Sequence, residues 1–457
     1  MPFQTHHRPN HYENVPNAHG HFTAVNPLNL HPRNYLTDEE IMAAFTNFWS
    51  AVPQGPADPI LGVTDAFKRD ASKHKINVGV GECAYRDEDG KPWVLDSVRK
   101  AEDILHEQRS DKEYLPITGL ANFLTLAAKL AYGADSKPLA ENRIAVVQSI
   151  SGTGALRIGM EFLASFYKGP HTIYLPDPTW GAHPAIAEKA NLAVKRYRYF
   201  DRKNIGLDFI GMKEDLQNAE EGSVILLHAC AQNPTGVDPT KEQWKELSDL
   251  IKAKKHLAFF DMAYQGFASG DVDRDAFALR YFVEQGHQIM LCQSFAKNLG
   301  LYGERAGTFS MVTSSPEEKE RVLSQLKRVI RPLYSSPPLH PAQLVATILG
   351  SPELYQEWLG EVKKMADRII AMRSTLYDKL VALQTPGNWD HIKTQIGMFS
   401  FTGLTPEQVD ALAKSAHIYM TKDGRISMAG LNEHNIDYFA TSVSKAVKGD
   451  LVPSAHM

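Results

Sequence analysis

Arg143-Ile144-Ala145-Val146-Val147-Gln148-Ser149-Ile150-Ser151-Gly152-Thr153-Gly154-Ala155-Leu156 reads as a strand that turns directly into a helix. Residues 143–149 are rich in β-branched and apolar side chains, the signature of a buried strand. Ser151 to Gly154 form a small-residue turn, and a helical pattern follows it. The same grammar recurs down the chain. Short apolar runs at 171–175, 222–229, 256–261, 288–293 and 307–312 alternate with amphipathic stretches. Such alternation predicts βα units and an α/β fold: a mostly parallel sheet with helices on both faces.

On the C-terminal side, Pro352 to about Leu383 carries apolar residues at helical spacing. This predicts one long helix leading into a smaller α+β domain. On the N-terminal side, residues 50–60 are rich in Pro, Gly and Ala and read as an extended arm. Before them, Leu36-Thr37-Asp38-Glu39-Glu40-Ile41 predicts a helix start, capped by Thr37 or Asp38 with acids in the first turn. Residues 1–37 hold six His and five Pro and read as a mobile tail. A transit peptide should be Arg-rich, and only Arg8 and Arg33 stand there. The expected organisation is an N-terminal extension at 1–47, an arm with part of a small domain at 48–90, a large α/β domain at 91–355, and a small C-terminal domain at 356–450.

Composition excludes several classes. With 457 residues, 43% of them hydrophobic, the chain can bury a sizeable core. Net charge is 49 − 53 = −4 with both signs interspersed, which gives no footprint for nucleic acid or an anionic membrane. No apolar run approaches the roughly 20 residues of a membrane span, so a soluble chain is expected. The three cysteines, Cys83, Cys230 and Cys292, have no paired spacing, against both a disulfide framework and a zinc site. Cys230 and Cys292 sit in apolar runs and read as buried thiols. No metal is expected.

Four segments carry candidate chemistry. Ser151-Gly152-Thr153-Gly154, at a strand-to-helix turn, lets backbone N–H groups and two hydroxyls approach an anion. It matches neither dinucleotide-binding nor P-loop spacing, and an ordinary tight β–α turn would look similar. Asn233-Pro234-Thr235-Gly236 follows the apolar run Ser223 to Cys230, where ligands of open α/β sheets bind. Asp261, ending Phe259-Phe260-Asp261-Met262-Ala263-Tyr264, is an acid in very apolar surroundings. It needs a cationic partner, such as a pyridinium nitrogen, unless it only caps the next helix. Lys297, in Ser294-Phe295-Ala296-Lys297-Asn298, follows a strand end, where a desolvated amine becomes a nucleophile. Arg305 comes eight residues later, beyond a Gly turn.

Taken together, these segments resemble the aspartate aminotransferases of the fold-type I pyridoxal-phosphate superfamily, nearest the mitochondrial form. The resemblance runs from about Phe48 to about Val447. It includes Asp58-Pro59-Ile60-Leu61-Gly62-Val63, His228-Ala229-Cys230-Ala231-Gln232-Asn233-Pro234 and Tyr419-Met420-Thr421-Lys422-Asp423-Gly424-Arg425. It implies a large domain with a mostly parallel seven-stranded sheet plus a smaller α+β domain. It also implies a homodimer with shared active sites and a mitochondrial or cytoplasmic location.

The resemblance assigns roles residue by residue. Lys297 carries pyridoxal 5′-phosphate as a Schiff base and moves the substrate proton. Asp261 pairs with the ring nitrogen, with His183 behind it. Asn233 and Tyr264 bond the phenolic oxygen, and Trp180 stacks on the ring. Ser151, Gly152, Thr153, Ser294 and Arg305 hold the phosphate, joined by Tyr114 of the neighbouring subunit. Arg425 grips the α-carboxylate, with Asn233, Trp180 and Gly81 around the substrate. Arg331 reaches the side-chain carboxylate from the other subunit. The implied reaction is L-aspartate plus 2-oxoglutarate giving oxaloacetate and L-glutamate, in ping-pong order.

Three positions depart from the family pattern. Gly79-Val80-Gly81-Glu82-Cys83-Ala84-Tyr85 is two residues longer, Pro341 stands where Gly is common, and Gln232 where His is frequent. Rival readings differ in chemistry. A broad-specificity aromatic or kynurenine aminotransferase shares the cofactor. A pyridoxal-phosphate decarboxylase or lyase conflicts with two arginines gripping carboxylates. A nucleotide-binding dehydrogenase leaves Asp261 and Lys297 without roles, and a non-catalytic binding protein leaves every filled catalytic position unexplained.

Overall fold

The computed structural model describes residues 48–55, 61–79 and 93–451 of the 457. The expected helix after Leu36, the His-rich tail, Gly81 and the longer Glu82-Cys83 loop lie outside the described residues. The chain divides into two units, 1–56 and 57–457. In the first, Phe48 to Ala51 form a turn closed by the Val52 N–H donating to the Trp49 carbonyl, and the chain continues without regular structure to Gly55.

The second unit is built on a seven-stranded sheet. Its strands are β1 (Ile144–Ile150), β2 (Thr172–Asp177), β3 (Ala193–Arg198), β4 (Val224–His228), β5 (Leu257–Met262), β6 (Met290–Ser294) and β7 (Ala306–Val312). Their spatial order is β1-β7-β6-β5-β4-β2-β3. Pairings from β6 through to β3 are parallel, and β7 runs antiparallel to both β6 and β1. All six strands read from apolar runs are present.

Their apolarity follows from burial on both faces. Ile225, Leu227, Ala258, Phe260 and Leu291 point to one side, against helices that contribute Met212, Trp244, Leu247 and Phe282. Val224, Leu226, Phe259, Met290 and Cys292 point to the other, against Leu156, Met160, Leu163 and Leu326. Gly159 is needed where its helix meets the sheet: a Cβ there would sit 2.6 Å from the Phe259 ring. Cys230 and Cys292 are buried free thiols, as read.

The long helix spans Pro352–Ala382, with the Ser351 side chain accepting from the Leu354 N–H as its N-cap. Beyond it, Phe399–Phe401 pairs antiparallel with Arg425–Ser427, and Ile418–Tyr419 pairs parallel with Ile76–Asn77. Asp70, just past the helix Leu61–Arg69, bonds both His417 Nδ1 (2.7 Å) and the Tyr419 hydroxyl (2.6 Å), tying the early chain to this C-terminal layer. No helix among the described residues is long and apolar enough to cross a membrane.

Two of the three sequence departures are accommodated locally. Pro341 is the third residue of the helix Leu339–Gly350, in the first turn where its missing N–H has no intrahelical partner to lose. Gln232 is fully buried and satisfied: Nε2 donates to the Pro178 carbonyl (2.8 Å), and Oε1 accepts from the Thr235 N–H (3.0 Å) and hydroxyl (2.5 Å).

Candidate active site

The parallel strands bring their C-terminal ends to one edge of the sheet, and the antiparallel β7 begins at that same edge. A small cavity of about 90 Å³ opens there. Its lining includes Ser151, Gly152, Thr153, Trp180, Asn233, Asp261, Tyr264, Ser294, Lys297 and Arg305, ten of the residues singled out from sequence. They come from the ends of β1, β2, β4, β5 and β6 and from the residue before β7. His183 stands behind Asp261. Arg425 reaches Asn233, while Tyr114 and Arg331 are exposed and do not line the cavity.

One end of the cavity is built for an anion. The helix Ser151–Phe166 starts at Ser151 with no side-chain cap, so its first N–H groups are left for another acceptor. The Ser151 and Ser294 hydroxyls meet at 2.9 Å, and Gly152 keeps the floor low: a Cβ there would approach the Ser294 Cβ at 3.3 Å. Arg305 donates to the Tyr302 carbonyl at 3.0 Å and has no carboxylate within ion-pair distance among the described residues. This end suits a phosphate.

The middle holds an acid and an amine. Asp261 Oδ2 accepts from His183 Nε2 at 3.0 Å. Burial by itself would raise this carboxyl's pKa. The hydrogen bond from His183, with the polar surroundings of His183, His228 and Lys297, outweighs it and holds the pKa below normal. Asp261 is therefore ionised and faces the cavity. Lys297 Nζ lies 5.4 Å from the Tyr264 ring centroid. Burial lowers its pKa; Asp261 opposes that and Arg305 reinforces it, so the amine is more readily neutral than a surface lysine.

Behind Asp261 runs a relay of defined polarity. The Asn233 N–H must donate, so His228 Nδ1 accepts it (3.3 Å) and the proton of that ring sits on Nε2. Nε2 then donates to Thr179 Oγ1 (3.4 Å), whose own hydrogen goes to His183 Nδ1 (2.7 Å). That leaves the His183 proton on Nε2, aimed at Asp261. Burial, helped by His183, pushes the pKa of His228 down to about 3, so it stays neutral.

The far end is built for a carboxylate. Arg425 is 5% exposed, with its guanidinium 4.4 Å from the Phe399 ring centroid. Its NH1 donates to Asn233 Oδ1 (3.3 Å) and its NH2 to the Gly79 carbonyl (2.9 Å), while the buried Nε has no partner among the described residues. An unpaired donor on a buried cation is costly and marks an anion's place. Gly424 makes the turn possible: its φ is +84°, and a Cβ would lie 3.0 Å from the Leu404 carbonyl.

Thr179, His228 and Phe399 are the participants that sequence reasoning missed. His228 left one signal, a polar residue ending the buried run Val224-Ile225-Leu226-Leu227. Thr179 and Phe399 left none, because their roles arise only from tertiary approach.

The comparisons agree with this geometry. The profile of the family "Aminotransferase class I and II" matches residues 73–443. The chain is 55% identical to the mitochondrial aspartate aminotransferase of Gallus gallus over 406 residues, 89% of this chain and 96% of that protein. The cytoplasmic aspartate aminotransferase of Saccharomyces cerevisiae superposes with a TM-score of 0.85 at 44% identity, covering 88% of this chain and 99% of that one. An aromatic-amino-acid aminotransferase of Burkholderia pseudomallei, covalently bound to pyridoxal phosphate, gives 0.85 at 42%, over 88% and 99%. With the family pattern filling most of its length, and 55% identity to the chicken enzyme over 89% of the chain, the chain belongs to the class I and II aminotransferases.

Proposed function

We propose that this enzyme is a pyridoxal-phosphate-dependent aspartate aminotransferase, moving the amino group of L-aspartate to 2-oxoglutarate to give oxaloacetate and L-glutamate in two alternating half-reactions. The observation that carries the reading is one cavity holding a desolvated amine, an ionised buried acid, an uncapped helix N-terminus and, at its edge, an arginine with an unpaired buried donor. The cofactor, when bound, supplies an aldehyde that captures amino groups and a ring that accepts electrons from the substrate α-carbon. Lys297 is the amine that would hold that aldehyde covalently. Ser151, Gly152, Thr153, Ser294 and Arg305 would hold the phosphate, Trp180 would cover the ring face, and Asn233 with Tyr264 would bond the phenolic oxygen. Asp261, oriented by His183, keeps the ring nitrogen protonated.

Arg425 grips the substrate α-carboxylate and fixes the α C–H bond toward Lys297, whose neutral Nζ takes the proton. The division of labour follows the chain: residues 91–355 hold the cofactor, and 356–450 bring Arg425. Tyr114 is 91% exposed and Arg331 is also on the surface. A second copy of the chain would place Tyr114 at its partner's phosphate and Arg331 at the side-chain carboxylate, so the active form is a homodimer. Curated relatives at 55–56% identity are mitochondrial aspartate aminotransferases, which favours a mitochondrial location.

The likeness to the Burkholderia aromatic enzyme supports a second reading, broad specificity that includes aromatic amino acids. Half-reactions followed by cofactor absorbance test both. Aspartate and glutamate should each convert the cofactor to its aminated form without any keto acid. If neither changes the spectrum, the assignment fails; if tyrosine reacts as efficiently as aspartate, the second reading replaces the first.

A further inference from the structure

Gln148, on β1, is completely buried and is bonded through both its backbone and its side chain. Its N–H donates to the Thr118 carbonyl (2.8 Å), and its carbonyl accepts from the Tyr334 hydroxyl (3.0 Å). Its Oε1 accepts from the Leu120 N–H (3.1 Å), and its Nε2 donates to the Pro338 carbonyl (2.7 Å). β1 is an edge strand, and these bonds close its open side. Two segments meet on this one residue. Thr118 and Leu120 belong to the stretch that follows Tyr114. Tyr334 and Pro338 follow Arg331, in and just past the helix Pro316–Tyr334. The first segment is pressed onto the glutamine: Gly119, at φ +103°, would put a Cβ 2.3 Å from the Gln148 Cβ. Three residues on, Ser151 lines the cavity.

We propose that Gln148 is a positioning residue that sets how strongly the enzyme selects a second substrate carboxylate, by holding the Tyr114 and Arg331 segments at a fixed separation. The proposal rests on the reading of Arg331 given above. Its chemistry is specific to an amide, which carries an acceptor and a donor on one planar group. Methionine fills similar volume and makes neither bond. Glutamate keeps the acceptor but donates to Pro338 only while protonated, and burial raises its pKa toward the working range.

The test is KM and kcat for aspartate and for tyrosine, measured on full-length holoenzyme with Gln148→Met, Gln148→Glu and Arg331→Leu. Gln148→Met should raise KM for aspartate roughly tenfold, with little change for tyrosine. Gln148→Glu should discriminate like the parent at low pH and approach Gln148→Met as pH rises. Equal changes for both substrates, or discrimination by Gln148→Glu that does not move with pH, overturn the proposal. The glutamate series decides alone if the methionine variant does not fold. Should Arg331→Leu keep the aspartate preference, the reading of Arg331 fails and takes this proposal with it. Should Arg331→Leu lose the preference while the Gln148 variants keep it, only the proposal for Gln148 falls.

Discussion

His183 donates from Nε2 to Asp261 Oδ2 across 3.0 Å, and the groups behind that bond, Thr179 and His228, fix the direction of its proton. Asp261 is thus an ionised acid whose charge is free to serve the cavity. Asp261→Asn removes the charge and keeps the shape. Turnover should fall by roughly a hundredfold or more, the scale of losing one charge-stabilising group in a desolvated site. Thr179→Val breaks the relay and leaves Asp261 in place, so its loss should be smaller, roughly threefold to tenfold, the scale of one hydrogen bond. Steady-state kcat for the two variants checks this ordering. An Asp261→Asn enzyme with near-normal kcat would remove the acid from the mechanism.

Lys297→Ala should abolish the absorbance of protein-bound cofactor and nearly all turnover, since the amine holds the cofactor and moves the proton. Lys297→Arg keeps the charge, yet guanidinium stays protonated and can do neither. It should be as inactive as the alanine variant. Absorbance of the purified protein and single-turnover rates decide the matter, and recovery of activity in the arginine variant would contradict a role for a neutral amine.

The two leading chemical groups were legible in sequence because each ends a strongly apolar run. A charge at the end of Phe259-Phe260 or just past Gln293-Ser294 has no solvent of its own and demands a reason. Strands buried on both faces were legible for the same cause. β3 escaped, since Ala193-Val194-Lys195-Arg196-Tyr197-Arg198 is an edge strand with only Tyr197 buried, its hydroxyl bonded to the Leu226 carbonyl at 2.9 Å. Charged side chains suit such an edge and erase the apolar signal. The seventh strand was expected only through the family resemblance. Thr179, His228, Phe399 and the Gln148 tie depend on which segments approach one another, and local pattern does not encode that.

Stability should carry an acid-side signature from two carboxyls away from the cavity. Burial raises Asp238 from 3.8 to about 6 against the hydrogen bonds from the Gln232 and Ala231 N–H groups, and neighbouring Asp275 adds to the rise. Asp275 is likewise raised by burial to about 6. A raised folded-state pKa means the folded chain binds these protons more tightly than the unfolded chain. Their contribution is therefore full below about pH 4 and is lost as pH climbs through about 6. Asp238→Asn cannot titrate, so its stability should decline less between pH 4 and pH 6 than the parent's. Denaturant unfolding across that range measures the difference, and parallel curves would show that Asp238 is not protonated in the folded protein.

Arg425 joins the small C-terminal sheet to the cavity, and its burial makes it sensitive to geometry rather than to charge alone. NH1 and NH2 are held by Asn233 and Gly79, and Nε has no partner among the described residues. Arg425→Lys keeps a cation but not the planar fork, and an ammonium cannot satisfy Asn233, Gly79 and a carboxylate together. It should lower kcat/KM by roughly 10- to 100-fold, equivalent to about 1.4–2.8 kcal/mol of lost charge-assisted bonding. Because every amino and keto acid substrate carries the α-carboxylate, aspartate, glutamate, 2-oxoglutarate and tyrosine should lose by similar factors. Arg331→Leu should instead penalise only the dicarboxylic substrates. Measuring kcat/KM for all four substrates in both variants separates the two arginines. A loss in Arg425→Lys confined to aspartate and glutamate would show that Arg425 binds the side-chain carboxylate and that the two roles are exchanged.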